Sequence, residues 1–204
     1  MADSDEPLTI AEIASVVGLH RSITYRMLRT LEEHRLVSRD EDNRYRPGVG
    51  LAVLARRVAP HLRTAALPCL SALADETRKT AFLVVPEGSD AVTIVVVEPR
   101  LSVFHVTYRP GARHELNRGA PGIAILAGRP AHEEDSPRVT EARQRGWAWS
   151  NSEVIPGFSA CAAPVHDPTG ECVGAVSVVY GGEADVDELG ARVVRAAKEL
   201  GASL

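Results

Sequence analysis

Between His20 and Leu31 the chain carries Arg21, Arg26 and Arg29, the phenol of Tyr25 and the hydroxyls of Ser22 and Thr24, with no acidic side chain among them. Arg21, Tyr25 and Arg29 recur every fourth residue, so on a helix they share one face, flanked by Ser22 and Arg26. Guanidinium forks, a phenol and hydroxyls on one face suit phosphate oxygens and the donor and acceptor edges of bases. Arginine-bearing faces are equally common on ordinary solvated helices, so the stripe decides nothing by itself. Its surroundings decide more.

Thr9-Ile10-Ala11-Glu12 reads as a capping box, and Ile10, Ile13, Ala14 and Val17 form one apolar stripe that Gly18 ends. A second helix follows from Arg21 to about His34, packing through Ile23, Met27, Leu28 and Leu31. Leu36–Arg39 and Arg44–Arg46 then make a hairpin around Asp40-Glu41-Asp42-Asn43. Two short helices joined through a glycine and followed by a hairpin form a winged helix-turn-helix pattern. The DNA-contacting candidates are therefore Arg21, Ser22, Thr24, Tyr25, Arg26 and Arg29, with Arg44 from the wing. The acidic wing tip is expected to stand away from phosphate. Segment 1–47 holds nine acidic residues against seven arginines, so placement rather than net charge carries the reading.

Beyond the hairpin, Val49–Val58 reads as a linker helix whose Val49, Val53, Leu54 and Val58 form an apolar stripe suited to self-association. A helical stretch follows over His61–Glu76, with a kink or break expected at Pro68. From Lys79 the period changes. Ala81–Val85, Ala91–Glu98, Leu101–Tyr108, Trp147–Ser150, Phe158–His166 and Cys172–Tyr180 read as strands, and Pro121–Ala127, Pro137–Arg145 and Val186–Leu200 as helices. The fold class is α+β with a mixed sheet in the second domain, divided as 1–47, a linker 48–62, and 63–204.

In 204 residues with a formal charge of −4, no apolar run approaches the roughly 18 residues of a membrane helix. The acidic start is unlike an export signal, so a soluble cytoplasmic protein is expected. Three cysteines without C-x-x-C spacing suggest neither a disulfide framework nor a zinc site, and no cofactor is indicated. His105, His114 and His132 lack metal spacing.

The residues Leu8–Ala14 and Gly18–Glu32, the wing exit Arg44-Tyr45-Arg46-Pro47-Gly48, and Gly119-Ala120-Pro121-Gly122-Ile123-Ala124 resemble the isocitrate-lyase-regulator (IclR) family. So do Arg145-Gly146-Trp147-Ala148 with Glu153 and Gly157, then Ala162–Val165 and Gly174–Val178. The resemblance runs in order along nearly the whole chain. It implies a winged helix-turn-helix, a linker helix and a GAF-like effector-binding domain, assembled as a homodimer or homotetramer on operator DNA. Such regulators repress or activate catabolic operons in response to small organic acids or aromatics, and a repressor is expected here. The resemblance also implies a further helix before Leu8, where only seven residues stand here, so either the start is misplaced or dimerisation relies on the linker. The stretch between Gly128 and Pro137 is shorter than the family's, and Pro121 stands where a free N–H is usual.

Family pocket positions fall on Gly119, Ala120, Ser150, Ala160, Ser177 and Val179, with Asn151 beside Ser150. A helix opening at Gly119-Ala120 would present free N–H groups and a positive dipole end to a carboxylate. Without the resemblance, an ordinary capped helix packed on a sheet explains these residues better. An alternative class is a GAF-like binding protein or cysteine-dependent reductase with a vestigial DNA head, using Cys161 and His166. An alternating strand sets residues five apart on opposite faces, so no enzyme is expected.

Overall fold

The computed structural model of the chain describes residue 4 and residues 6–55, 60–100 and 109–204. It comprises two compact units, Met1–Pro60 and His61–Leu204. In the first, α1 (Ile10–Val17) begins at the expected box. The Glu12 N–H donates to the Thr9 hydroxyl at 3.3 Å, and the Thr9 N–H donates to the Glu12 carboxylate at 2.7 Å. The Thr9 N–H, with the Thr9 hydroxyl donating to the same carboxylate oxygen at 2.8 Å, holds the Glu12 carboxyl below its ordinary pKa. Gly18, at φ 66, closes α1 in the left-handed region that a side chain would resist.

Helix α2 (Arg21–Glu33) leads into the hairpin β1 (Val37–Arg39) and β2 (Tyr45–Pro47), and Leu8 bridges Tyr45 to add a third rung. The core of this unit is small: Ile13, Leu28, Val37 and Tyr45, with Leu8, Ile10 and Leu31 against it. The packed face of α2 accordingly runs through Thr24, Leu28 and Leu31. Ile23 and Met27, expected inside, are about half exposed at 47% and 52%. Because the hairpin offers Val37 and Tyr45 to Leu28, the buried stripe lies one residue round from the one the sequence pattern gives. Thr24 can be buried cheaply because its hydroxyl donates to the His20 carbonyl at 3.3 Å. Helix α3 (Gly50–Ala55) follows with Val53 and Leu54 exposed, as is Val49 before it; Val58 lies outside the described residues.

In the second unit α4 (Pro60–Thr77) is continuous through Pro68, the site of the expected kink or break, so the helix does not break there. Its buried Ala66, Leu70, Leu73 and Ala74 pack on the sheet. Burying two leucines contributes about 3–6 kcal/mol, enough to offset the roughly 3 kcal/mol that an interior proline costs. The strands β3 (Thr80–Glu87), β4 (Asp90–Val97), β5 (Arg113–Glu115), β6 (Ala148–Asn151), β7 (Phe158–His166) and β8 (Cys172–Gly181) form one sheet in the order β5-β4-β3-β8-β7-β6. Every pairing among the described residues is antiparallel, not mixed as expected. Two hairpins, β3–β4 and β7–β8, meet at an antiparallel β3–β8 seam, and β5 and β6 extend the edges. The expected strand 101–108 lies outside the described residues.

Alternating strand residues split the core in two. Leu83, Val176 and Val178 face α4 and α7 (Val186–Ala202), whereas Phe82, Ala162 and Val179 face α5 (Gly119–Gly128) and α6 (Pro137–Arg145). On β6, Trp149 donates its indole N–H to the Tyr180 hydroxyl at 3.1 Å. No helix among the described residues is long and apolar enough to cross a membrane.

Candidate nucleic-acid interface and effector cavity

A concave groove of about 920 Å³ runs between α2 and the hairpin, lined by Arg21, Ser22, Tyr25, Arg26, Arg39 and their neighbours. Four of the seven DNA candidates thus share one wall, joined by Arg39 from the opposite side. Among the described residues neither Arg21 nor Arg26 is engaged by a carboxylate, whereas a free guanidinium in a groove is what a polyanion requires. His20 shapes the groove floor: its Nδ1 lies 2.9 Å from the Ser22 hydroxyl at the start of α2.

Three candidates stand elsewhere. Thr24 is buried on the packed face and offers nothing to a ligand. Arg29 is exposed but pairs with Glu33 at 3.2 Å, one turn along the same helix. Arg44 donates to the Pro7 carbonyl at 3.1 Å, holding the N-terminal segment against the wing. At the wing tip, Asp40 accepts from the Arg44 N–H at 2.8 Å and so belongs to the turn, while Asp42 and Asn43 line the groove.

In the second unit a cavity lies between α5 and the sheet, walled by Phe82, Pro121, Phe158, Ala160 and Val179, with Ser150, Ser159 and His114 as polar groups. Val154 and Ile155, from the β6–β7 connection, close it, leaving only about 20 Å³ of free space. Of the positions the resemblance names, Ser150, Ala160 and Val179 line this cavity. Ser177 and Asn151 do not line the cavity. The Ser177 hydroxyl donates to the Cys161 carbonyl at 3.0 Å, and the Asn151 amide donates to Ser159 at 2.8 Å.

The opening of α5 is already furnished with acceptors. The Gly119 N–H donates to a Glu153 carboxylate oxygen and the Ala120 N–H to Ser150, each at 2.9 Å, and Pro121 has no N–H to give. Arg138 clamps Glu153 with both terminal nitrogens, at 2.6 and 3.1 Å, and Arg118 donates to the Glu153 carbonyl at 2.7 Å. A carboxylate of the chain itself thus occupies the helix start at which an external anion is expected from the sequence. Gly119 sits at φ 76, and a Cβ there would lie 2.6 Å from the Val154 methyl, so only glycine lets the β6–β7 connection approach. From the sequence His114 is weighed only as a metal ligand, because β5 is three residues long and charged, and Glu153 is named without its partner 34 residues away.

Cys161 is fully buried among apolar side chains, and that burial pushes its thiol up to about 12. His166 instead lies 2.9 Å from the Gly128 carbonyl, so no thiolate–imidazole pair forms. Among the described residues no cluster of ligating side chains could hold a metal.

The sequence profile of the IclR helix-turn-helix domain matches residues 1–41, and that of the bacterial transcriptional regulator IclR C-terminal domain matches residues 136–201. The glycerol operon regulatory protein of Streptomyces griseus is 30% identical over 210 residues, spanning 87% of this chain and 79% of that protein. The acetate operon repressor of Salmonella typhimurium is 24% identical over 235 residues, spanning 98% and 84%. An IclR homolog from Microbacterium hydrocarbonoxydans, solved in complex with 4-hydroxybenzoate, shares the fold with a TM-score of 0.82 at 19% identity, covering 98% of this chain and 93% of that one. These relatives are regulators rather than enzymes, and the reductase reading gives way to them. A helix-turn-helix at one end, an effector-type domain at the other and a regulator aligned along most of its length leave one assignment: the chain belongs to the IclR family of bacterial transcriptional regulators.

Proposed function

We propose that this regulator represses a catabolic operon by seating α2 and the wing on operator DNA, and that a small aromatic or other organic acid in the cavity beside α5 alters that grip. The observation that carries the reading is the groove in which Arg21, Arg26 and Arg39 stand with a tyrosine and a serine. An effector carboxylate would compete with Glu153 for the Gly119 N–H and Arg138, a charge-assisted position either anion can fill. Displacing Glu153 would free the β6–β7 connection. The 4-hydroxybenzoate bound by one structural relative supports the class of ligand, and the operon regulators among the relatives support the role. Self-association through the exposed Val49, Val53 and Leu54 would present two α2 helices to one operator.

Gel retardation of the DNA upstream of the gene, with and without benzoates and short carboxylic acids, tests the proposal. Saturable retardation over a scrambled duplex is expected, with affinity changing about 5- to 150-fold on adding the effector. Equal binding to both duplexes, or no response to any acid, would overturn it.

A further inference from the structure

We infer that the cavity beside α5 selects ligands carrying an aromatic hydroxyl, and that the Nε2 of His114 is the atom that reads it. The inference rests on the proposal that this cavity is the effector site. His114 Nδ1 lies 3.0 Å from the Glu115 carbonyl oxygen, which can only accept, so Nδ1 bears the proton. In the neutral imidazole Nε2 is then a bare lone pair. That atom is buried and has no hydrogen-bond partner among the described residues. The ring lies over the start of α5, its Cε1 3.6 Å from where a Gly119 Cβ would stand, and it forms part of the cavity wall.

The hydroxyls of the wall each already hold a partner within the chain. Ser150 accepts the Ala120 N–H, and Ser159 accepts the Asn151 amide. Thr93 Oγ1, the other buried oxygen or nitrogen of a described side chain without a partner, is not a wall residue. What the cavity offers a ligand is thus a largely apolar slot in which the His114 acceptor alone lacks any partner among the described residues. Phe82, Phe158 and Pro121 favour a flat ring over an aliphatic chain. A bare Nε2 lone pair accepts an O–H and repels an ionised carboxylate, so the hydroxyl rather than the acid group lodges at His114. A buried polar atom built to bond a hydroxyl rejects the analogue that lacks one more strongly than an apolar wall rejects a misfit. With about 20 Å³ free, the ring must displace Val154 and Ile155, which belong to a loop rather than to the sheet.

Calorimetric titration of the full chain with 4-hydroxybenzoate and with 4-methylbenzoate, which exchanges O–H for a methyl of similar size, tests this directly. The wild type should bind the hydroxy acid about tenfold more tightly. His114→Leu should abolish the preference while keeping the methyl compound's affinity, and His114→Gln, which retains an acceptor, should preserve part of it. Ala160→Leu, with its fold checked by circular dichroism, should block both compounds. Equal wild-type affinities that Ala160→Leu abolishes, or a preference surviving in His114→Leu, would overturn the inference and leave the cavity as effector site. Absence of binding by either acid, or binding indifferent to Ala160→Leu, would overturn the cavity reading and the inference with it.

Discussion

The two units place their chemistry in opposite ways. The DNA-facing unit keeps a core of a few side chains and gives one face of α2 to a solvent-facing groove, where Arg21 and Arg26 meet no carboxylate among the described residues. The effector-type unit has two larger cores, and at the start of α5 the backbone donors are matched by Glu153 and Ser150 of the chain itself. A surface site can leave its cations bare because water solvates them until a polyanion arrives. A buried site cannot, because an unmatched polar group there is costly, so it holds internal stand-ins that a ligand must replace.

The largest effect should separate the two units outright. Gly119→Val brings a β-branched side chain to a left-handed backbone and drives its Cβ into Val154. The strain and the overpacking should together destabilise the second unit by about 2–5 kcal/mol. Thermal unfolding followed by circular dichroism would show it, and an unchanged melting temperature would mean the β6–β7 connection is not held as described.

Next come the groove arginines. Arg21→Ala and Arg26→Ala should each weaken operator binding by about 1–3 kcal/mol with melting unaltered, whereas Arg29→Ala, already tied to Glu33, should lose well under that. Fluorescence anisotropy with a labelled operator gives the ranking, and an Arg29 effect as large as that of Arg21 would place the DNA on another face of α2.

These expectations show how unevenly the molecule could be read from its sequence. Thr9 and Glu12 announce α1 because both halves of the cap are local, and β7 has the predicted bounds, Phe158–His166. The packed face of α2 was misplaced because Met27 and Thr24 differ in hydrophobicity in one sense and in position relative to Val37 and Tyr45 in the other, and position won. The polar lining of the cavity was least legible. Ser177 had the right face of the sheet, but its hydroxyl is claimed by the Cys161 carbonyl, and Glu153 gained its role only through Arg138 and Gly119. Such assignments depend on partners chosen by the tertiary fold, which no spacing along the chain records.

A smaller effect would sharpen the idea of an internal stand-in. Glu153→Gln removes the competing anion but keeps an acceptor for the Gly119 N–H. Acid effectors should bind it about 3- to 10-fold more tightly, while stability falls by less than about 1 kcal/mol because the Arg138 pair is partly exposed. Calorimetry showing weaker binding of the acid would assign Glu153 to the ligand's own contacts.

The smallest change belongs to the wing. Glu41→Ala and Asp42→Ala together should leave DNA affinity unchanged or raise it modestly, since like charges beside phosphate are removed. Asp40 is left in place because it accepts the Arg44 N–H in the turn. A clear loss of affinity in anisotropy would give the acidic tip a positive role at a base edge.

The bond from the Trp149 indole to the Tyr180 hydroxyl has an optical consequence. The chain contains two tryptophans, and the other, Trp147, is buried beneath the Arg145 guanidinium and beside Gly190. Trp149 is partly open to solvent and is joined through one peptide bond to Ser150, which lines the cavity and holds the start of α5. Any shift of β6 that accompanies ligand entry will move this indole against its phenol partner and change its emission. The protein thus carries its own fluorophore on a strand that walls the cavity, and the Trp149→Phe chain, which should lose the ligand-dependent signal while still binding, is the control that identifies the source.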